Sequence, residues 1–339
     1  MSDAVGRAFA PGRSRWWGIL VAACVVVVLP LIFRDSYWRT NLIVCALNVM
    51  LAIGLDFVLG FAGQLNLGQS AFYGIGAYVS TLLIMRLGLP FWPAFGGGVA
   101  ASAACGMALS LFAVRLRGHY LAIASLGFAV ITYQVLLNWI SLTQGPLGIY
   151  AIAPPPPLAL PGLPPIDFAD LANLFYLVAA FTLVAYLLLD QLVRSPIGEA
   201  LTAIREDEVS AASLGIDCNI WKVFAFGVGS AVAGAAGCFY ASFVGTLVPD
   251  AFFITESFTI LAMVIVGGMG TLSGPVCGAI LLTVLPELLR GIGDLRLVVY
   301  GVLLTLVVLF MPGGIVQVAR LVHARLARAW PWPATGVSP

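Results

Sequence analysis

Apolar runs of membrane-spanning length follow one another almost from end to end of this chain. They cover residues 16–33, 42–60, 71–87, 93–114, 119–140, 171–190, 223–245, 257–290 and 295–312. A spanning helix needs about 20 mostly apolar residues, because every backbone N–H and C=O in the hydrocarbon must be paired within the segment itself. With 339 residues, 61% hydrophobic and 9% charged, the chain holds about nine or ten such crossings and little else. The expected architecture is an all-α polytopic membrane protein, a single transmembrane domain over 1–339 with several glycine-broken helices. An ordinary soluble enzyme is excluded.

The first run, Trp16–Phe33, follows Arg7, Arg13 and Arg15 in the manner of a secretion signal. Its length, and Arg34-Asp35 where a cleavage site would need small residues, favour an uncleaved span. The run 257–290 is too long for one crossing and is broken at Gly267, Gly268, Gly270, Gly274 and Pro275. It either crosses twice or dips in and returns. Counted as two short helices, it leaves both termini on one side, with eleven basic residues on that face against five on the other. The excess of positive charge marks the cytoplasmic face.

The net charge is +1, Lys222 is the only lysine, and no basic stripe offers a surface for nucleic acid. The six cysteines are scattered without a C-x-x-C pair and read as small buried hydrophobes, and His119 and His323 suggest no metal site. There is no G-x-S-x-G, no H-E-x-x-H and no cluster of His, Asp and Glu. Lys222 stands between Ile220-Trp221 and Val223, outside any phosphate-binding loop. The expectation is therefore no enzyme, no metal and no cofactor bound by this chain. Any ATP, with its Mg, would be hydrolysed on partner subunits.

Two loops stand apart. Within the loop 141–170, the stretch Ala151–Ile166 carries prolines at 154, 155, 156, 157, 161, 164 and 165, too many for a helix or a central strand. This is expected to be a stiff extracytoplasmic segment, a spacer or a partner contact. The other, 195–216, is cytoplasmic and acidic. Ser195 and Pro196 read as N-cap and first helical residue, Glu199 suits the positive helix end, and Gly215 stops the helix about five turns later. Such a helix either docks on another protein or is simply solvated.

Within the spans, Gly60–Ser70 mixes glycines with uncharged hydrogen-bonding side chains. Irregular backbone at this depth either lines a watery path or forms a packing corner. Gly60-x-x-Gly63-x-Leu65 is echoed by Gly267-x-x-Gly270-x-Leu272. The echo is either chance in a glycine-rich chain or an internal repeat whose two breaks meet at one cavity. Gly229, Ala233 and Gly237 recur every four residues as a close-packing face, and Gly96-Gly97-Gly98 reads the same way. Asp56 and Glu287 are the ionisable residues expected within spans. Their places near helix ends favour an interface or an arginine partner over a proton relay.

Four stretches together resemble a known family. They are Gly63–Tyr78 (GQLNLGQSAFYGIGAY), Arg117–Gly127 (RGHYLAIASLG), Ser195–Glu208 (SPIGEALTAIREDE) with Leu214–Ile216, and Val266–Pro275 (VGGMGTLSGP). They resemble, over about residues 40–315, the permease subunits of bacterial branched-chain amino-acid ABC importers, in the order and spacing of the LivM branch. The resemblance implies a multi-pass subunit of the bacterial inner membrane with both termini cytoplasmic. Its partners would be a homologous second permease, two cytoplasmic ATPase subunits and a periplasmic solute-binding protein, and its substrate an amino acid. It makes 195–216 the segment that couples to the ATPase, through Gly198, Glu199, Arg205, Glu206 and Gly215. Gln64, Asn66 and Gln69 would line the substrate path, with Gly63 and Gly68 allowing the break. The general importer loop places an acid six residues before its glycine, where this chain has Val209, and Glu208 stands seven before Gly215. A fused ATPase, which some members of the family carry at the C-terminus, is not expected here. A urea or short-amide importer of the same family, an ion-coupled carrier acting alone and a scaffold without transport are the alternatives.

Overall fold

The computed structural model describes residues 30, 35–113, 119–157, 166–292, 301, 305, 314 and 315. The apolar runs 16–33 and 295–312 therefore lie almost wholly outside the described residues, as do both termini, His323 and the proline-rich stretch 158–165.

Among the described residues there are eleven α-helices. They are α1 Ser36–Asp56, α2 Gln69–Leu87, α3 Phe91–Ala113, α4 His119–Asn138, the single turn α5 Ile140–Thr143, α6 Leu171–Val193, α7 Pro196–Glu206, α8 Glu208–Ser213, α9 Cys218–Val244, α10 Ile254–Gly267 and α11 Ser273–Leu288. Seven segments are long and apolar enough to cross a membrane, and α11 is a shorter apolar helix of 16 residues. The long run 257–290 thus resolves into two helices parted at 268–272. They pack side by side as a hairpin against α1.

Local chemistry sets the helix ends. Asp170 caps α6 by accepting from the Ala172 amide, and Asp217 caps α9 through the amides of Asn219 and Ile220. Left-handed Gly88 and Gly245 close α2 and α9, a conformation that glycine adopts without strain.

Helix α9 is the hub, packed on α1, α2 and α3, while α6 flanks the other side of α1. Apolar burial alone gives little attraction between helices in lipid, so close backbone approach has to hold them. The small-residue face of α9 supplies it. Gly229 lies over the Gly54 carbonyl and Val58, Gly237 over the Tyr73 carbonyl, and Ala233 between them is fully buried. Of the glycine triplet in α3, Gly98 packs against Cys238 and Gly97 against Leu83, but Gly96 faces open space. The packing reading therefore holds for two of the three. The cysteines divide similarly: Cys218 and Cys238 are buried, Cys45 and Cys105 partly so, and Cys277 is exposed, because it falls on the outward side of α11.

Just ahead of the prolines, Ile149–Tyr150 forms an antiparallel pair with Thr246–Leu247, in the register Ile149↔Leu247 and Tyr150↔Thr246, which ties the start of the loop to the end of α9, while residues 151–157 carry neither helix nor strand.

Candidate functional site

The two glycine breaks meet. Helix α1 loosens into a π turn at Phe57–Phe61, a rare geometry that concentrates at functional positions. Gly63 then turns the chain with φ +66°, and 63–68 returns without regular structure to the start of α2. On the other side, Gly268 and Gly270, with φ +115° and +75°, part α10 from α11. Asp56 Oδ1 accepts the Gly270 amide at 2.9 Å, and a Cβ at Gly60 would fall 2.5 Å from the Gly270 nitrogen. Here the backbone halves approach so closely that only glycine fits.

A third element enters this junction. Arg205, on α7, donates to the Gly60 carbonyl. Its aliphatic stem covers Gly63, where a Cβ would sit 3.0 Å from Arg205 Cγ, and its Nη1 would lie 2.7 Å from a Cβ at Gly270. One arginine thus touches both breaks. Asp56 is fully buried, and its second oxygen, Oδ2, has no hydrogen-bond partner among the described residues.

The amide side chains of the break turn inward. Asn66 donates to Gln69 Oε1 at 3.0 Å and accepts from the Gly68 amide at 2.8 Å, while Gln69 donates to the Leu51 carbonyl at 3.3 Å. Gln64, Asn66 and Gln69 are all buried; Asn66 and Gln69 knit the break together, whereas Gln64 Oε1 has no hydrogen-bond partner among the described residues. Gly68 is needed for a different reason from Gly63: its Cβ would strike the Ser125 carbonyl of α4 at 2.7 Å. Ser125 also accepts the Leu67 amide, and Ser257 of α10 binds both the amide and the hydroxyl of Ser70.

The segment 195–216 begins as its sequence predicts. Ser195 Oγ accepts the Ile197 amide at 3.2 Å, Pro196 opens α7 and Glu199 lies in its first turn. Gly198 packs directly on the backbone of Val193, which sets the sharp turn out of α6. A single helix to Gly215 is not what forms. The chain breaks at Asp207, extended at φ −155° and ψ 110°, whose carboxylate caps α8 through the amides of Val209 and Ser210. These hydrogen bonds, with one from the Ser210 hydroxyl, hold the Asp207 carboxyl below its usual range. Gly215, at φ +86°, then ends the motif.

The faces of this segment differ. Leu201, Ile204 and Ala211 are buried, whereas Val209 and Leu214 are 68% and 80% exposed and Glu199 and Glu206 face outward. Glu208 is not free for a partner, since it pairs with Lys222 at 2.7 Å. Of the candidate coupling residues, only Arg205 reaches the glycine junction. Glu287, at the end of α11, accepts from the Tyr37 hydroxyl, and Arg290 stacks 4.8 Å above the same ring. Among the described residues no group of His, Cys, Asp and Glu is placed to hold a metal.

A further residue escaped the sequence reading. Glu256 opens α10 and faces a cavity of about 480 Å³ between α1, α2, α9, α10 and α11. The apolar run begins at 257, one position beyond this acid. Its nearness to a break in the hydrophobic pattern was the only signal.

The sequence comparisons agree with this architecture. The branched-chain amino acid transport system permease component family matches residues 39–310. The chain is 37% identical over 290 residues to the high-affinity branched-chain amino acid transport system permease protein LivM of Escherichia coli K12, covering 80% of this chain and 68% of that protein. It is 28% identical over 286 residues to LivH of the same organism, covering 78% and 90%, and 28% identical over 291 residues to BraD of Pseudomonas aeruginosa, with the same coverage. No solved structure matches the chain at a significant level. An all-helical bundle with seven apolar spanning segments, matched by the family over 39–310, is a multi-pass membrane protein, and the chain belongs to the family of permease components of branched-chain amino acid transport systems.

Proposed function

We propose that this chain is one permease subunit of an ATP-driven importer that carries branched-chain or related amino acids into the cytoplasm across a bacterial inner membrane. Its similarity to both LivM and LivH supports a second, homologous permease beside it. Two ATPase subunits on the cytoplasmic face and a solute-binding protein on the other complete the assembly. Residues 195–216 dock on an ATPase, the 141–170 loop faces outward, and both termini are cytoplasmic.

The observation that carries this reading is Arg205. It sits on an amphipathic helix pair whose outer side exposes Val209 and Leu214, and its guanidinium reaches the carbonyl of one glycine break and lies against the other. A partner that moves α7 and α8 therefore moves Arg205, and with it the junction of Gly60 and Gly270. Closure of the ATPase pair on ATP shifts the bundle between two arrangements, by differential contact with each. Gly63 and Gly68 permit the bend, while Asn66 and Gln69 hold it, and the amides of Gln64, Asn66 and Gln69 face the path when the junction opens. Gly198 fixes the lever angle, Glu199 and Glu206 present charge to the partner, and Gly215 ends the docking surface.

The test is to purify the tagged chain from its native membrane in mild detergent and identify what accompanies it by mass spectrometry. Two ATPases and a second permease are expected. A chain that arrives alone, and transports in liposomes without ATP, overturns the proposal.

A further inference from the structure

The cavity at Glu256 has the chemistry of an amino-acid site. Its polar groups are Glu256 and Thr259 on α10, Asn48 on α1, and Tyr73 and Tyr240 on α2 and α9. Glu256 and Thr259 are three residues apart and so share one helix face. The Tyr73 and Tyr240 rings lie 5.3 Å apart. Asn48 spends its amide N–H on Thr283 at 2.9 Å, which leaves its carbonyl oxygen to accept, and Thr259 donates to the Thr255 carbonyl, which leaves its lone pairs. The remaining wall, Val44, Leu47, Met263 and Leu282, is aliphatic or thioether. About 480 Å³ lies within the usual range of small-molecule sites.

A carboxylate within a membrane bundle is costly unless paired, although the first turn of α10 offsets part of that cost. Each described arginine and lysine is engaged elsewhere: Arg39 with Asp170, Arg86 with the Ser141 carbonyl, Arg194 with Asp190, Arg205 with the Gly60 carbonyl, Lys222 with Glu208 and Arg290 over Tyr37. Among the described residues no hydrogen bond or ion pair reaches the Glu256 carboxylate or the hydroxyls of Tyr73 and Tyr240.

We infer that Glu256 receives the ammonium group of a zwitterionic, apolar amino acid at a solute station within this chain. Three acceptors, Glu256, Asn48 and Thr259, match the three N–H donors of an ammonium, the tyrosine hydroxyls donate to the carboxylate, and the aliphatic wall takes a branched side chain. A neutral amide such as urea donates N–H groups to the acid but leaves its charge unbalanced. The station lies about half way along α1, with Asn48 about 12 Å from Asp56 at the 1.5 Å rise per residue of a helix, so the Asp56, Gly270 and Arg205 junction lies beneath it. The inference rests on the proposed function and adds that the permease itself selects the solute.

The test uses the complete transporter in proteoliposomes with L-leucine. Glu256→Gln is expected to lower uptake about ten- to hundredfold, the worth of a charge-assisted hydrogen bond, while ATP hydrolysis stimulated by the loaded binding protein persists. Glu256→Asp is expected to recover part of the uptake. Thr259→Cys, placed in a background without the native cysteines and with Glu256 intact, is expected to react with a thiol reagent more slowly when leucine is present. Wild-type uptake by the Glu256→Gln transporter, or labelling of Cys at 259 that leucine leaves unchanged, overturns the station alone. A wild-type transporter that takes up no leucine overturns the importer reading, and the station with it.

Discussion

Asp56 and Gly270 are 214 residues apart in the chain and are joined by a 2.9 Å hydrogen bond from the Gly270 amide to the Asp56 carboxylate. The bond fastens the loosened end of α1 to the bend between α10 and α11. Asp56→Ala would leave a buried N–H unpaired, at about 1–3 kcal/mol, whereas Asp56→Asn keeps an acceptor in place. The alanine variant is therefore expected to lower the thermal midpoint of the purified protein clearly more than the asparagine variant. Equal midpoints would mean that the bond does not hold the junction.

Of the residues proposed for coupling, Arg205 is the one that contacts this junction. Arg205→Ala removes both the hydrogen bond to Gly60 and the stem over Gly63, and is expected to reduce uptake about tenfold while ATP hydrolysis by the assembly continues. Arg205→Lys keeps charge and most of the stem but loses the guanidinium fork, so it should fall between the two. Uptake and hydrolysis that decline in the same proportion would show that Arg205 serves assembly instead of transmission.

Most of the fold was legible in the sequence, because backbone hydrogen bonding in lipid leaves few options for a long apolar run. The cap at Ser195 and the stop at Gly215 were equally readable, since each depends on local chemistry. The meeting of the two breaks was legible only as one of two readings of a repeated glycine spacing, because which glycines face each other is decided by packing 200 residues away. The break at Asp207 was missed because acids in a helical run resemble a solvated face, and only the observed backbone identifies this one as a second N-cap. Glu256 was missed because a window of hydropathy ends where the polar residues begin. The amides of Gln64, Asn66 and Gln69 are legible from their chemistry alone, which does not say that Asn66 and Gln69 bond one another.

Gly215 adopts φ +86° with nothing within 4 Å of where a Cβ would be, so its requirement is conformational, not steric. Gly215→Asn, which tolerates the left-handed region, is expected to keep coupling near normal. Gly215→Val should cost about 1–3 kcal/mol locally and uncouple stimulated ATP hydrolysis from leucine delivery. A valine variant with normal stimulation and uptake would remove Gly215 from the docking surface.

Glycines of the bundle should separate by what surrounds them. Gly96 lies inside α3 with open space about it, so Gly96→Ala is expected to stabilise by about 0.5–1 kcal/mol through the backbone entropy it removes. Gly237 lies against the Tyr73 carbonyl, and Gly237→Ala should push α9 from α2 and cost about 1–3 kcal/mol. Thermal unfolding of the two variants in detergent checks the signs, and destabilisation by both would mean that an unseen neighbour covers Gly96.

Asp207 gives the segment 195–216 a pH dependence of definite sign. Its carboxyl is held below the usual range by the amides of Ser210 and Val209 and the Ser210 hydroxyl, so the native state favours the ionised form. The cap's contribution is therefore complete above the ordinary carboxylate pKa of about 3.9 and fades as the pH falls through the lower native value. Hydrogen exchange at the Val209 and Ser210 amides, corrected for the intrinsic rate, is expected to show protection that is constant near neutral pH and lost below about pH 4. In Asp207→Asn, which still accepts a hydrogen bond but does not titrate, the protection should be nearly independent of pH. The same acid-dependent loss in that variant would place the titrating group elsewhere.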